Sequence, residues 1–233
     1  MPLRVGAAII ASLAALSALQ AADIEGTIII KRKLSKRTIT ASAASYARGA
    51  AVQLEPDADR DPLNFEREHV VIYLEGNLPS QPETATMEQK NRRFAPDLLV
   101  IPAGSKVSFP NGDAIFHNVF SLSKPKSFDL GNYPKGQTRQ LTFPEPGIVF
   151  VNCHLHPNMG AVIFVTPNRW STRADASGNF RFTDVPPGNY TIVAWHKAVG
   201  FFRQKVHADN RNVSSVEFFI PFENSVSAHN DQR

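Results

Sequence analysis

Cys153 is the sole cysteine of the chain, and it opens the run C-H-L-H-P-N-M, which puts His156 three residues on and Met159 three beyond that. A thiolate, an imidazole and a thioether at this spacing fit within one tight turn. Two His and one Cys in a trigonal plane, with a weak axial Met, form the ligand set of a copper electron-transfer site. The turn supplies one imidazole too few. His117, in A-I-F-H-N-V-F, lies 36 positions before Cys153 and is placed on another strand to provide the second. A lone Cys can form no intramolecular disulfide, so in an oxidising compartment it is reactive, intermolecular or metal-bound. Free Cys is often a buried inert thiol; the paired spacing to His156 and Met159 favours ligation over that.

These side chains need strands to hold them. Val107 and Phe109 alternate with polar residues, Asn111-Gly112 marks a turn, and residues 116–120 form the strand end that carries His117. Residues 128–133 and 140–143 supply further strand, and Pro146-Gly147 turns the chain into I-V-F-V-N-C. Residues 84–93 are ambiguous, because A-T-M-E-Q-K-N-R-R is rich in helix formers.

With those residues in place, the chain resembles the cupredoxins, the type 1 copper family of plastocyanin and amicyanin. Residues 94–111, F-A-P-D-L-L-V-I-P-A-G-S-K-V-S-F-P-N, follow the family's F-x-P-x-x-L-x-V-x-x-G-x-x-V-x-F-x-N, and the C-x2-H-P-x-M loop looks most like the short amicyanin one. The resemblance covers residues 84–167 and favours strand over helix at 84–93. It implies one type 1 copper held by His117, Cys153, His156 and Met159, with the Asn118 amide tying the two ligand-bearing segments together. One departure stands out. Where amicyanin and plastocyanin usually carry a small residue and Pro between Cys and His, this chain has His154-Leu155. Strand alternation points His154 away from Cys153, and a polar surface residue is the simplest reading of it. It is also a possible auxiliary ligand of a metal between subunits, since His154 and His156 form the one H-x-H pair. A trinuclear oxidase cluster takes several such pairs.

The remaining strands belong elsewhere. After residue 167, Phe180 and Phe182 alternate with polar residues, Pro187-Gly188 turns, and Tyr190, Ile192 and Ala194 alternate again. This meander is similar to the carboxypeptidase-regulatory-like β-sandwich. Val206 and residues 213–220 add two strands, and the β-branched runs 24–30 and 69–74 are left over to complete it. The expected fold is therefore all-β: a cupredoxin Greek-key sandwich or barrel over 84–167, inserted into or joined to a second small β-sandwich built from 23–83 and 168–233. Between its first two strands, Lys31, Arg32, Lys33, Lys36 and Arg37, an Ala/Ser-rich run and three Asp read as a polar, solvated excursion.

At 233 residues, with 42% hydrophobic and 20% charged residues, the chain is globular and long enough for two small all-β modules. A formal net charge of +4 is too weak and too dispersed to argue for nucleic acid, no nucleic-acid motif occurs, and no nucleic-acid partner is expected. Residues 1–22 read as a secretory signal, with Arg4 before an apolar core at 5–19 and small Ala21 or Ala22 at the cut. That apolar stretch is shorter than the ~20 residues that span a bilayer, and none later is long enough. The expectation is an exported, periplasmic protein without a membrane span after cleavage.

His196, in A-W-H, is expected to pack with Trp195 between the modules, while His69, His207 and His229 show no partner spacing. No G-x-S-x-G, H-E-x-x-H or phosphate loop occurs, so no catalytic constellation is expected. The function expected is single-electron transfer with a protein partner. A copper carrier or sensor, or a copper-stapled binding module, is the alternative.

Overall fold

The computed structural model describes residues 21–34, 61, 63–209 and 214–221. The leader-like residues, most of the polar excursion and His229 lie outside them. In chain order the elements are β1 (Ala22–Ile29), α1 (Asn64–Glu68), β2 (Val70–Glu75), β3 (Thr84–Thr86), β4 (Glu88–Lys90), β5 (Arg93–Ala95), β6 (Leu98–Pro102) and β7 (Ser105–Pro110). Then come β8 (His117–Ser123), β9 (Lys126–Tyr133), β10 (Thr138–Phe143), β11 (Gly147–Asn152) and β12 (Gly160–Thr166). The chain continues through β13 (Ser171–Arg173), β14 (Asn179–Val185), β15 (Gly188–His196), β16 (Gly200–Ala208) and β17 (Ser214–Phe219). The protein is all-β, as its alternating sequence requires. Residues 84–93 are strand, not helix: cross-strand pairing with β7 and within the β4–β5 hairpin overrides helix propensity.

The middle of the chain forms one sandwich. A five-stranded sheet, β6-β12-β11-β8-β9, faces a three-stranded sheet, β10-β7-β3. Val107, Phe109, Val119, Phe143, Val149, Val151 and Ile163 fill the space between, all fully buried. Cys153 and Met159 belong to this same core.

The flanking strands form a second sandwich, with sheets β14-β1-β17 and β13-β2-β15-β16. Strands from before the first sandwich thus pair with strands from after it: β1 lies between β14 and β17, and β2 runs antiparallel to β15. Ile24, Ile28, Ile72, Leu74, Ile192 and Phe218 lie in its core.

The two sandwiches meet through a third apolar cluster. Leu98, Val162 and Phe164 of the five-stranded sheet pack on Val71, Tyr73, Val193 and Trp195. This is why β12 reads G-A-V-I-F-V-T, apolar without alternation: one face lies in its own core and the other against the neighbour.

Two histidines depart from the expectations set by sequence. His196 has polar partners that the sequence did not suggest: its Nε2 lies 3.1 Å from Glu66 Oε2, and its Nδ1 accepts the Ala198 N–H at 3.2 Å. Glu66 is wholly buried on the short helix α1, which period-based reading of five residues does not detect. His69 precedes β2 rather than opening it: it closes α1, stacks on Phe65 at 3.9 Å and reaches Asp97 of the first sandwich at 3.3 Å.

Candidate metal centre

β8 ends its inward-facing row at His117, and the loop between β11 and β12 carries Cys153, His156 and Met159. Two backbone bonds close that loop into a tight turn: Met159 N–H donates to His156 O at 2.9 Å, and Cys153 N–H donates to Met159 O at 3.2 Å. Pro157 between them fits such a turn. The β8–β9 ladder slips register between Asn118 and Phe120, a bulge of the kind that re-aims a side chain beside a site.

One donor atom from each of His117, Cys153 and His156 falls within 4.8 Å of the others. His117 Nδ1 stands 3.1 Å from His156 Nδ1, and Cys153 Sγ stands 3.6 Å from His156 Nδ1. Two imidazole nitrogens this close need a proton or a cation between them. Separations of this size are also the edges of a coordination shell with bonds of roughly 2.0–2.3 Å to N and S, so the three donors fit a soft transition metal.

The protonation states fit as well. His117 Nε2 lies 2.8 Å from Asp113 Oδ2, an acceptor, so Nε2 carries the proton and Nδ1 keeps its lone pair. His156 is held below the ordinary histidine range, first by burial and further by the nearby Arg92 charge, which keeps its imidazole neutral. His117 is fully buried, and Cys153 is 4% exposed.

Asp113 is the participant that sequence reading missed. Its two oxygens accept the N–H groups of Asn91 at 2.7 Å and Arg92 at 2.8 Å, at the tip of the β4–β5 hairpin. Burial alone would raise its pKa, but these N–H groups and His117 outweigh that and hold it below the usual carboxylate value. Asn111 shapes the loop beneath it, accepting the Asp113 N–H and donating to Ile115 O and Tyr133 O, each at 2.9 Å. The available signal was an Asp four residues before a candidate ligand, with Asn-Gly ahead of it.

Asn118 bridges the two segments: its N–H points at Cys153 Sγ at 3.4 Å, and its Oδ1 accepts the His154 N–H at 3.4 Å. Its amide also donates to Asp129 at 2.7 Å. Met159, 1% exposed, is buried beside Cys153 in the core. His154 stands apart from the cluster. Its ring lies flat on Phe120, with centroids 3.6 Å apart and planes 4° from parallel, and its Nε2 is 3.5 Å from Asp129. Around the cluster's outer edge, Ile115, Phe116 and Leu155 are exposed.

No protein-family model matches the chain, and no curated protein matches it. Among solved structures it is similar to a Cu-containing nitrite reductase (NirK) from Thermus scotoductus SA-01, at 26% identity, TM-score 0.34, over 40% of this chain and 23% of that one. The match thus spans under a quarter of the reductase. It is also similar to a purple cupredoxin from Nitrosopumilus maritimus, at 24% identity, TM-score 0.33, over 35% of this chain and 99% of that one. Amicyanin from Paracoccus versutus matches at 22% identity, TM-score 0.34, over 41% of this chain and 97% of that one.

Proposed function

We propose that this chain holds one type 1 copper ion on His117, Cys153 and His156, with Met159 as the axial donor, and carries single electrons between exported redox proteins. The observation that carries this reading is the convergence of two imidazole Nδ1 atoms and one thiol sulfur at the buried end of a β-sandwich. Copper so held supplies a one-electron couple.

The chain's own residues do the rest. Asp113 fixes the ring and tautomer of His117, and the Asn118 N–H stabilises negative charge on the Cys153 sulfur. The buried core behind Cys153 and Met159 excludes water, and the tight turn closed by the Met159–His156 and Cys153–Met159 backbone bonds, together with His117 at the start of β8, would keep the donor positions alike in both oxidation states. His156 is partly exposed, and the apolar rim of Ile115, Phe116 and Leu155 suits brief contact with a partner. The leader-like residues 1–22 are the support for placing this function in the periplasm.

The visible spectrum of the copper-loaded chain tests this reading. An intense thiolate-to-copper band with one copper per chain is expected, and Cys153→Ser abolishes it while leaving the far-ultraviolet dichroism of the β-fold intact. A colourless wild-type protein, or a band that survives in Cys153→Ser, overturns the assignment.

A further inference from the structure

β11 and β8 turn large apolar side chains outward. Val119, Val149 and Val151 point into the core of the first sandwich, so alternation sends Phe120, Leu122 and Phe150 to the opposite face. In register, Leu98 of β6 neighbours Val162 of β12, Val162 neighbours Phe150 of β11, and Asn152 of β11 neighbours Phe120 of β8. Two residues along that antiparallel pair, Phe150 comes beside Leu122. The second sandwich buries the first half of this row, with Leu98, Val162 and Phe164 under Val71, Tyr73, Val193 and Trp195. The other half stays open: Phe150 is 42% exposed and Leu122 is 82% exposed.

The covering sheet stops at β16, a free edge, and the five-stranded sheet stops at β9, also free. The outline is a step, with an apolar floor that runs to β9 and a wall that ends in β16. Phe201 on the wall is 43% exposed and lies 6.4 Å from Phe164, centroid to centroid.

The charges are spread over both sides of the step. On the wall, Arg203 is paired with Glu75 at 3.5 Å. Lys197, its Nζ 5.7 Å over the Phe150 ring, has no carboxylate within ion-pair distance among the described residues. Across the floor, on β9, Asp129 stands opposite Phe120 in register, with His154 at 3.5 Å and the Asn118 amide at 2.7 Å. Lys124 and Lys126 lie in and beside the β8–β9 turn, at the end of the floor away from His154. An unpaired cation on one side and an acid on the other do not select a partner of one sign; they complement each other.

We infer that this uncovered half-face is the self-contact of a two-fold symmetric dimer, its occupant a second copy of this chain. Turned by half a rotation about an axis along the strands, a second step interlocks with the first: floor lies on floor, and each wall abuts the other copy's β9 edge. Lys197 of each copy then meets Asp129 of the other, and both free edges are shielded. Phe150, Leu122 and Phe201 continue the contact that Val162 and Phe164 already make within the chain. The His117–Cys153–His156 clusters of the two copies open at the same end of the dimer, with Ile115, Phe116 and Leu155 outside the contact. No metal takes part, so the dimer stands or falls apart from the copper reading.

Sedimentation equilibrium of the full chain, with and without copper, tests this. The wild type is expected to be a dimer in both states. Leu122→Glu, at an open position that the fold does not use, puts a charge into the centre of the contact and should weaken association at least about tenfold. Lys197→Asp sets acid against acid at both ends of the contact, and Asp129→Lys sets cation against cation, so each alone should be largely monomeric. Mixed in equal amounts, the two variants pair an acid with a cation at both ends and should form the mixed dimer, which a misfolded variant does not do.

A monomeric wild type overturns the inference. So does a dimer indifferent to Leu122→Glu, which would use another face. Dimers lost in both charge variants and not regained in their mixture overturn the two-fold pairing of Lys197 with Asp129. A wild-type dimer that behaves as expected but shows no visible band with copper overturns the copper reading and leaves this surface standing.

Discussion

Asp113 does at the residue scale what a ligand histidine cannot do for itself. An imidazole can rotate and can carry its proton on either nitrogen; the carboxylate on Nε2 removes both freedoms and aims Nδ1 at His156. Asp113→Ala is expected to weaken copper affinity by about 10–100-fold, read by competition with a chelator. Asp113→Asn still fills the space and is expected to lose less. Met159 acts differently, because a thioether is a weak donor. Met159→Leu should keep the visible band, since the thiolate is retained, and raise the reduction potential, since a donor to the oxidised ion is lost. Voltammetry checks the direction, and a bleached Met159→Leu would show that the thioether is needed for binding.

At the scale of elements, the β4–β5 hairpin is the support for that arrangement. Asn91 and Arg92 both have φ of 55°, which turns their N–H groups onto the Asp113 oxygens. Asn tolerates this left-handed conformation better than most residues, and a β-branched residue does not. Asn91→Val is expected to cost about 1–2 kcal/mol in urea unfolding and to loosen His117 indirectly. β12 is stabilised from both sides, so truncation there is more damaging. Ile163→Ala, at a fully buried site, should cost about 2–5 kcal/mol.

The whole molecule is joined by chemistry as well as by apolar contact. His69 of one sandwich meets Asp97 of the other. Burial alone would lower the His69 pKa, but the hydrogen bond and charge of Asp97 outweigh it and hold it raised; in return His69 holds Asp97 lowered. The link is fully present below the ordinary histidine value and is lost as pH rises through the raised one; at the acid end it is lost as pH falls through the lowered Asp97 value. His196 works the other way. Burial holds its pKa down, so it is neutral in the fold, and its contribution is lost as pH falls from the ordinary histidine value towards the lowered one. Urea midpoints against pH should therefore fall on the acid side in wild type and less so in His196→Gln, while Asp97→Asn should remove the loss that accompanies the rise of pH through the raised His69 value. The strand pairing also suggests a division of the chain. Residues 84–167 are expected to fold and bind copper alone, and residues 169–233 are not, since β1 and β2 supply their partners. Cooperative melting of the isolated 169–233 fragment would overturn that division.

The sequence by itself determined the all-β class, because alternation with period two and turn residues are local properties. It also pointed to His117, Cys153, His156 and Met159, because soft donors at short spacing on a loop carry their chemistry in their identity. Asp113, the Glu66–His196 pair and the His69–Asp97 link were decided only by the tertiary structure, since a carboxylate is common and nothing local distinguishes one that meets a histidine from one in water. His154 falls between the two. Alternation gave its direction away from the other donors, but its stack on Phe120, at the border between a covered and an uncovered face, exists only once β8 and β11 are paired and the second sandwich has taken its share of the sheet.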